Sequence, residues 1–384
     1  MIRLLTAFTF EIDDPKLASD EIQKQLEAED SLFANSVGFL FCSLDFINSG
    51  AAAAVAKALP FETIGCTTHG IAVPGAMSEV MLTVAVLTSD DVVFKIGVSD
   101  PLEDDGEERL REMYERLFGF PEPPPSLLLM CHSNPAYLSG DRVLRIFDSL
   151  SGGTPVFGTY ALDETFERRM PMILHNGTAY SNRLALVAIC GGVPERRFVV
   201  KTLPAINIYS QSALVTEAQD NRLISINNMP AAEFMEKLGV ISENNTNAVY
   251  GFPLLVNNND GTGLKSCAIH SIEDGGVLRC GSGIVNGATL KIVNQMQAEV
   301  LHNSEELIAL LKNEGNKKAH VIFSCFGRSA PLLDLKDEMS LFQDGLPGIS
   351  YVFIYSSGEF CPMYDELGGT HNRFHQYSIV SLSF

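Results

Sequence analysis

VIFSCFGR at residues 321–328, ISYVFIYSSGEFCP at 349–362 and THNRFHQYSIVSLSF at 370–384 decide how this chain is read. Each is an apolar, strand-like run that ends in, or opens from, polar groups that apolar packing does not require. They are Ser324, Cys325 and Arg328, then Gly358 and Glu359, then His371 and Asn372. Burying any of these unpaired costs on the order of 1–3 kcal/mol, so they either satisfy one another or face a ligand. An amphipathic helix lies between the first two runs.

The same alternation runs back through the chain. The opening RLLTAFTF predicts a strand, residues 15–30 a polar helix with Leu17, Ile22 and Leu26 on one face, and SVGFLFCSL a buried strand. An alanine-rich helix over 50–59 and the strand FETIGCTTHGI follow. EVMLTVAVL and VVFKIGV, split by SDD, read as a hairpin. Residues 104–118 form a helix with acids at its start and Gly119 at its end. PEPPP at 121–125 is a rigid connector, after which SLLLMCHS, DRVLRIFDSL and VFGTYAL alternate again. Strands repeatedly follow strands without a helix, which excludes a simple doubly wound topology. The predicted class is α/β to α+β, in two domains, each a mixed β-sheet with flanking helices. A shift in composition over 204–212 places the boundary near residue 203, dividing the chain into 1–203 and 204–384.

Composition narrows the function classes. The 384 residues carry 46% hydrophobic and 19% charged side chains, the signature of a globular chain. A net charge of −20 with no basic cluster argues against nucleic acid and against an anionic membrane surface. No apolar run approaches the ~20 residues of a membrane span. The eight cysteines sit mostly inside apolar runs, as reduced thiols of a cytoplasmic protein do.

Sharp motifs are few. There is no phosphate-cradling G-x-x-x-x-G-K-[ST] and no G-x-S-x-G nucleophile elbow. GSGIVNG at 281–287 is one residue too long for a dinucleotide fingerprint and leads into a strand, so it is a turn. Cys66 with His69, and His371 with His375, lack the further ligands that zinc needs. Cys325 would be a nucleophile only with a lowered pKa and a base. Cys131 and His132 are neighbours on a strand and point to opposite faces.

Several of these stretches together resemble the FIST sensory domain family. IGCTTHG at 64–70 is similar to the glycine–cysteine turn of its N-terminal domain, VFGTYALDE and NGTAYSNRLALVAICG to its later strands. FSC-x2-R, GEFCP and the HN of 371–372 are similar to its C-terminal domain. The likeness spans nearly the whole chain. His69, Thr159–Tyr160 and Phe353 depart from it, standing where smaller residues are expected. The resemblance implies a cytoplasmic, cofactor-free sensor of a small polar ligand, with amino acids as the proposed class. Its signal would pass to a separate histidine kinase, cyclase or chemoreceptor output protein. An α-amino acid needs a cation for its carboxylate and a carboxylate for its ammonium. Arg328 and Glu359 supply one of each, with Ser324, Cys325, Gly358, His371 and Asn372 around them, or else the two charges pair with each other. Gly65, Cys66 and Thr67, at a strand end, form a second candidate site. Two other readings stay open. One is a hydrolase of a small amide or ester using Cys325 or Glu359, the other a haem-binding gas sensor with His69, His132, His371 or His375 as axial ligand.

Overall fold

Alternating strands and helices in the first ninety residues build one compact plan, and the chain then builds it twice more. The structure is a computed structural model that describes residues 2–28, 32–119, 125–133, 138–162, 171–192, 196–203, 212–240, 252–314 and 319–384. The first unit runs β1 (Arg3–Thr9), α1 (Pro15–Ala28), β2 (Asn35–Cys42), α2 (Leu44–Asn48), α3 (Ala51–Ala58), β3 (Thr63–Thr67), a hairpin of β4 (Ile71–Val73) and β5 (Ala76–Ser78), then β6 (Leu82–Ser89). The second repeats this order with β7 (Val93–Val98), α4 (Gly106–Phe118), β8 (Leu127–His132), α5 (Gly140–Ser151), β9 (Val156–Tyr160), the hairpin β10 (Ile173–His175) and β11 (Thr178–Tyr180), and β12 (Leu184–Cys190).

The third unit opens with β13 (Arg197–Thr202) and is interrupted at once by an inserted body. That insertion holds β14 (Ala213–Gln219), β15 (Arg222–Ile226), β16 (Met229–Pro230), α6 (Ala231–Lys237), β17 (Leu254–Asn257), β18 (Leu264–Cys267), β19 (Ile269–Glu273), β20 (Val277–Cys280) and β21 (Thr289–Ile292). The unit resumes with α7 (Gln297–Asn313), β22 (Ala319–Cys325), α8 (Lys336–Gly345) and β23 (Ser350–Ser356). The short strands β24 (Glu359–Phe360), β25 (Met363–Tyr364), β26 (Thr370–His371) and β27 (Phe374–His375) follow, and β28 (Ser378–Ser383) closes it.

Each unit forms a sheet around one parallel pair, β2/β3, β8/β9 or β22/β23, flanked by antiparallel strands. Each then lends its hairpin to a neighbour. The sheets are ordered β1-β6-β2-β3-β10-β11, β7-β12-β8-β9-β24-β27 and β13-β28-β22-β23-β4-β5. The exchange runs in one direction and closes on itself, so the three sheets form a ring. Their inner faces meet in a common apolar core, where one phenylalanine from each sheet converges. Phe157 stacks on Phe323 at 4.9 Å and Phe41 meets Phe323 edge-on at 6.3 Å. The outer faces are covered by α1 and α3, by α4 and α5, and by α7 and α8.

Mixed sheets with flanking helices are what the sequence predicts, and the helices and strands fall largely where expected. Two expectations need correction. EVMLTVAVL and VVFKIGV do not form a hairpin: β6 pairs with β1 and β2, whereas β7 pairs with β12 in the next sheet. They are the last strand of one unit and the first of the next. Nor does residue 203 separate two cores, because β13 pairs with β28, β23 with β4 and β9 with β24. The central cluster holds side chains from both sides of that position. The expected linker at 204–212 and the PEPPP connector lie almost wholly outside the described residues.

Parallel pairs in the first two sheets come close. A Cβ on Gly65 would lie 1.8 Å from the Leu40 carbonyl oxygen, and one on Gly158 would lie 2.3 Å from that of Met130. These glycines occupy the same register in their units, and Phe353 stands there in the third, opposite Ile322. Its ring packs outward on Phe342 at 4.8 Å, so bulk is accommodated under α8.

The inserted body is a separate antiparallel sheet with its own apolar cluster, closed by α6. It leans on the second unit through α5. That helix starts at Ser139, whose hydroxyl accepts from the Arg142 amide, and stops at Gly152 with φ 69°. Val143, Leu144, Ile146 and Phe147 bury its inner face, which turns Asp141, Arg145 and Asp148 toward the insertion. Among the described residues, no helix is long and apolar enough to cross a membrane.

Candidate functional site

Arg328 is wholly buried, but its partner is not Glu359. Its Nη2 sits 2.8 Å from Glu338 Oε1 and also donates to the Val300 carbonyl at 3.0 Å and Ser304 Oγ at 3.1 Å; its Nε donates to Ser324 Oγ at 3.1 Å. Glu338 in turn accepts from Ser304 at 2.6 Å, from the Tyr355 hydroxyl at 2.8 Å and from Ser324 at 3.1 Å. This network clamps α7, α8, β22 and β23 together. The Nη1 of Arg328 has no hydrogen-bond partner among the described residues. Of the two readings open in the sequence, the mutual Arg328–Glu359 pair is therefore corrected to Arg328–Glu338. Glu338 was legible as an acid on the buried face of a helix, beside Met339 and Phe342.

Glu359 lies close by in a second cluster. The Ser356 hydroxyl donates to its Oε1, and burial pushes its carboxyl well above the usual range, which favours the neutral acid. Burial and the adjacent Glu359 likewise raise the Cys325 thiol. Protonated sulfur is a poor nucleophile, so this environment does not activate Cys325 for attack. Gly358 supports this corner sterically, since a Cβ there would meet Phe374 at 2.5 Å.

The other expected residues are dispersed. Gly65, Cys66 and Thr67 lie in β3, where Cys66 faces the common core beside Cys131 and Thr67 exchanges hydrogen bonds with Met172. His371 is on the surface, 2.8 Å from Asp365. His69 lies 3.3 Å from Glu79. His375 is buried, with Nε2 at 2.9 Å from the Cys361 carbonyl. Asn372 accepts from the Val156 amide at 2.8 Å and donates to Asp148 Oδ1 at 2.6 Å and the Thr154 carbonyl at 2.9 Å.

His132 is buried edge-on against Tyr160, with ring centroids 4.9 Å apart and neither ring nitrogen hydrogen-bonded among the described residues. Burial lowers its pKa to about 3, and that of His375 to about 4. In the unfolded chain an imidazole titrates near 6.5. Between those values the unfolded state binds the extra proton, so stability falls as pH drops through about 6.5 toward 3. Each histidine should contribute a slope of roughly 1.4 kcal/mol per pH unit over its window. His132→Phe should flatten that acid limb, read as ΔG of unfolding against pH. An unchanged slope would mean that His132 is charged or hydrated in the fold.

Two cavities contrast sharply. One is an apolar void of about 20 Å³ among Phe41, Phe157 and Phe323, with no polar group to hold a ligand. The other is a cleft of about 560 Å³ between α5, the loops of the inserted sheet and the turn before β27. That size suits a small-molecule site. Asp141, Arg145 and Asp148 line it from α5; Asp220, Asn258, Asp260, Lys265 and Gly283 from the insertion; Asn372 and Arg373 from the third unit. Ion pairs cross it, Arg145–Asp220 at 3.0 Å, Lys265–Asp141 at 3.8 Å and Arg373–Asp260, and the Gly283 amide donates to Asp141.

Family comparison settles the relationship. The FIST N domain model matches residues 36–229 and the FIST C domain model residues 231–362. The chain belongs to the FIST family. FIST domains are small-molecule sensory modules. The first two parallel pairs fall in the FIST N match and the third in the FIST C match, and the two matches meet within the inserted sheet. No curated protein matches the sequence. A solved structure described as "Cyanuric acid hydrolase: evolutionary innovation by structural concatenation" is 10% identical, with 100% of this chain and 99% of that chain covered and a TM-score of 0.34. At that score the likeness carries no argument.

Of the residues that the FIST resemblance singles out, Asn372 alone lines the polar cleft. Sequence reasoning missed the rest of its lining. A signal was present in α5, where Asp141, Arg145 and Asp148 recur at helical spacing on one face. The acids and bases from the insertion come from separate turns, which no local pattern joins.

Proposed function

We propose that this FIST protein binds a small polar metabolite, an amino acid or a similar compound, in the cleft between α5 and the inserted sheet. The single observation that carries this is a cavity of about 560 Å³ whose charged lining comes from three separate parts of the chain. Closed networks around Arg328 and Glu359 offer no such opening. Occupancy would be passed on as a shift of the inserted sheet against the three-sheet ring. The ties across the cleft suit that role. Arg145 and Asp220 are both largely exposed, and exposed pairs hold by only about 0–1 kcal/mol, so a ligand can replace them. A separate kinase, cyclase or chemoreceptor would read the shift.

A thermal-shift screen against amino acids and related metabolites tests this. A ligand at a hundred times its Kd stabilises by ~2.7 kcal/mol. The gain should weaken at least tenfold in concentration in Arg145→Ala and Arg373→Ala, whose side chains reach solvent. Stabilisation that survives both substitutions would place the ligand elsewhere. A screen in which no compound stabilises would remove the proposal.

A further inference from the structure

Strand order in the inserted sheet runs β18-β17-β21-β14-β15-β20-β19. Its first and last strands, β18 and β19, are also consecutive in the chain and joined through Ala268. The sheet therefore curls until its two ends meet along a seam. Among the described residues no ladder joins β18 to β20 there, and the Gly281 amide donates to the Ala268 carbonyl at 2.8 Å. Beside it the β19/β20 register slips between Ile269 and Ser271. Ala268 and His270 are half-buried, so the seam reaches the surface.

Two cysteines meet at this seam. Cys267 ends β18 and Cys280 ends β20, and both belong to the apolar cluster of the insertion. Cys280 stands opposite Ile269, two residues on from Cys267, so the two sulfurs share one face. They are hydrogen-bonded to each other. Cys267 Sγ also lies 3.5 Å from the Ala268 carbonyl and 3.8 Å from that of Ser282. The hydrogen bond from Cys280, with help from Ser282 and the Lys265 ammonium, brings the Cys267 thiol down to about 7 against the opposing pull of burial. Burial pushes Cys66, Cys325 and Cys361 up instead. A sulfur that favours the thiolate, with a second thiol in contact, is placed to be oxidised and then resolved.

We propose that Cys267 and Cys280 form a reversible oxidation site whose reactant is a small hydroperoxide, hydrogen peroxide being the simplest. The Cys267 thiolate attacks one peroxide oxygen, the O–O bond breaks, and the departing hydroxide takes up the proton the thiol released, leaving as water. The Cys280 sulfur then attacks the resulting sulfenic sulfur. The S–O bond breaks, the S–S bond forms, and a second water leaves with the Cys280 proton. Two thiols lose two electrons and the peroxide gains them. So small a reactant needs only local opening of the seam. The bridge staples β18 to β20 beside Lys265 and Gly283, which hold Asp141 of α5, and beside the Ala268 amide, which donates to Gln376 of the third unit. Oxidation thus stiffens the face by which the insertion grips the three-sheet ring.

Treatment of the whole folded protein with one equivalent of hydrogen peroxide, then alkylation in denaturant and tryptic mapping, tests the proposal. Trypsin cuts after Lys265, Arg279 and Lys291, so residues 266–279 and 280–291 separate unless they are bridged. We expect them as one linked species that dithiothreitol divides, with Cys267 oxidised about tenfold faster than Cys66 or Cys325. Cys280→Ser should stop the reaction at the sulfenic acid, which dimedone traps on Cys267, and Cys267→Ser should leave Cys280 unmodified. Should a variant fold poorly, the map of the unaltered protein decides alone. Hydrogen exchange at residues 265–268 and 280–283 should slow about tenfold in the bridged form. Both peptides recovered alkylated, a bridge that forms only in denaturant, or other cysteines oxidised as fast as Cys267 would each overturn the site. Unchanged exchange in the bridged form would overturn the stiffening.

Discussion

Glu338→Ala is expected to destabilise the protein by roughly 3–5 kcal/mol, because it leaves a fully buried guanidinium without its counter-charge. Arg328 would keep only neutral acceptors, the Val300 carbonyl and the Ser304 and Ser324 hydroxyls. The Tyr355 hydroxyl and the two serines would lose their shared acceptor as well. Arg328→Ala should cost about as much from the other side. The double variant Arg328→Met with Glu338→Leu should recover most of the loss, since neither charge is then stranded. Glu359→Gln should cost far less, because burial already favours an uncharged group at that position. Equilibrium unfolding of the four variants checks this. A double variant no more stable than either single one would mean that the network's neutral hydrogen bonds, and not the ion pair, carry the energy.

Phe323→Ala should cost about 3–5 kcal/mol and do so for the whole three-sheet ring at once. Its ring is stacked on Phe157 and touches Phe41, so its removal opens a cavity walled by all three sheets. Neighbouring side chains are held by rigid strands and cannot close the gap. Unfolding followed by tyrosine fluorescence and by far-ultraviolet circular dichroism should shift together in this variant. Two transitions, with only the later residues affected, would mean that the chain does divide near residue 203 into independently folding halves.

Local order was legible in the sequence. Apolar spacing located α1, α4 and α5 and most long strands, since their periodicity is set by the face each element buries. Partner choice was not. β6 and β7 are joined by a short SDD turn, yet each answers to a different sheet, and nothing in their composition distinguishes a hairpin from a boundary between units. The hairpins lent from unit to unit escape notice for the same reason, because pairing at such separations depends on the closed ring. A shift in composition near 204 was real, but it marks the insertion of a second sheet into the third unit. At the site, the sequence left Arg328 either to a ligand carboxylate or to an acid of the chain, and the structure gives it Glu338. Glu359 stood out in the sequence and Glu338 did not, yet α8 supplies the partner from ten residues away.

Hydrogen–deuterium exchange with and without the metabolite that stabilises most in the screen tests the cleft most directly. The account predicts slowed exchange at residues 140–148 of α5, at 258–265 and 283–285 of the insertion, and at 372–373, with the Arg328–Glu338 network unchanged. Protection confined to 324–328 and 356–359, or to 65–67, with the cleft segments unaffected, would contradict it.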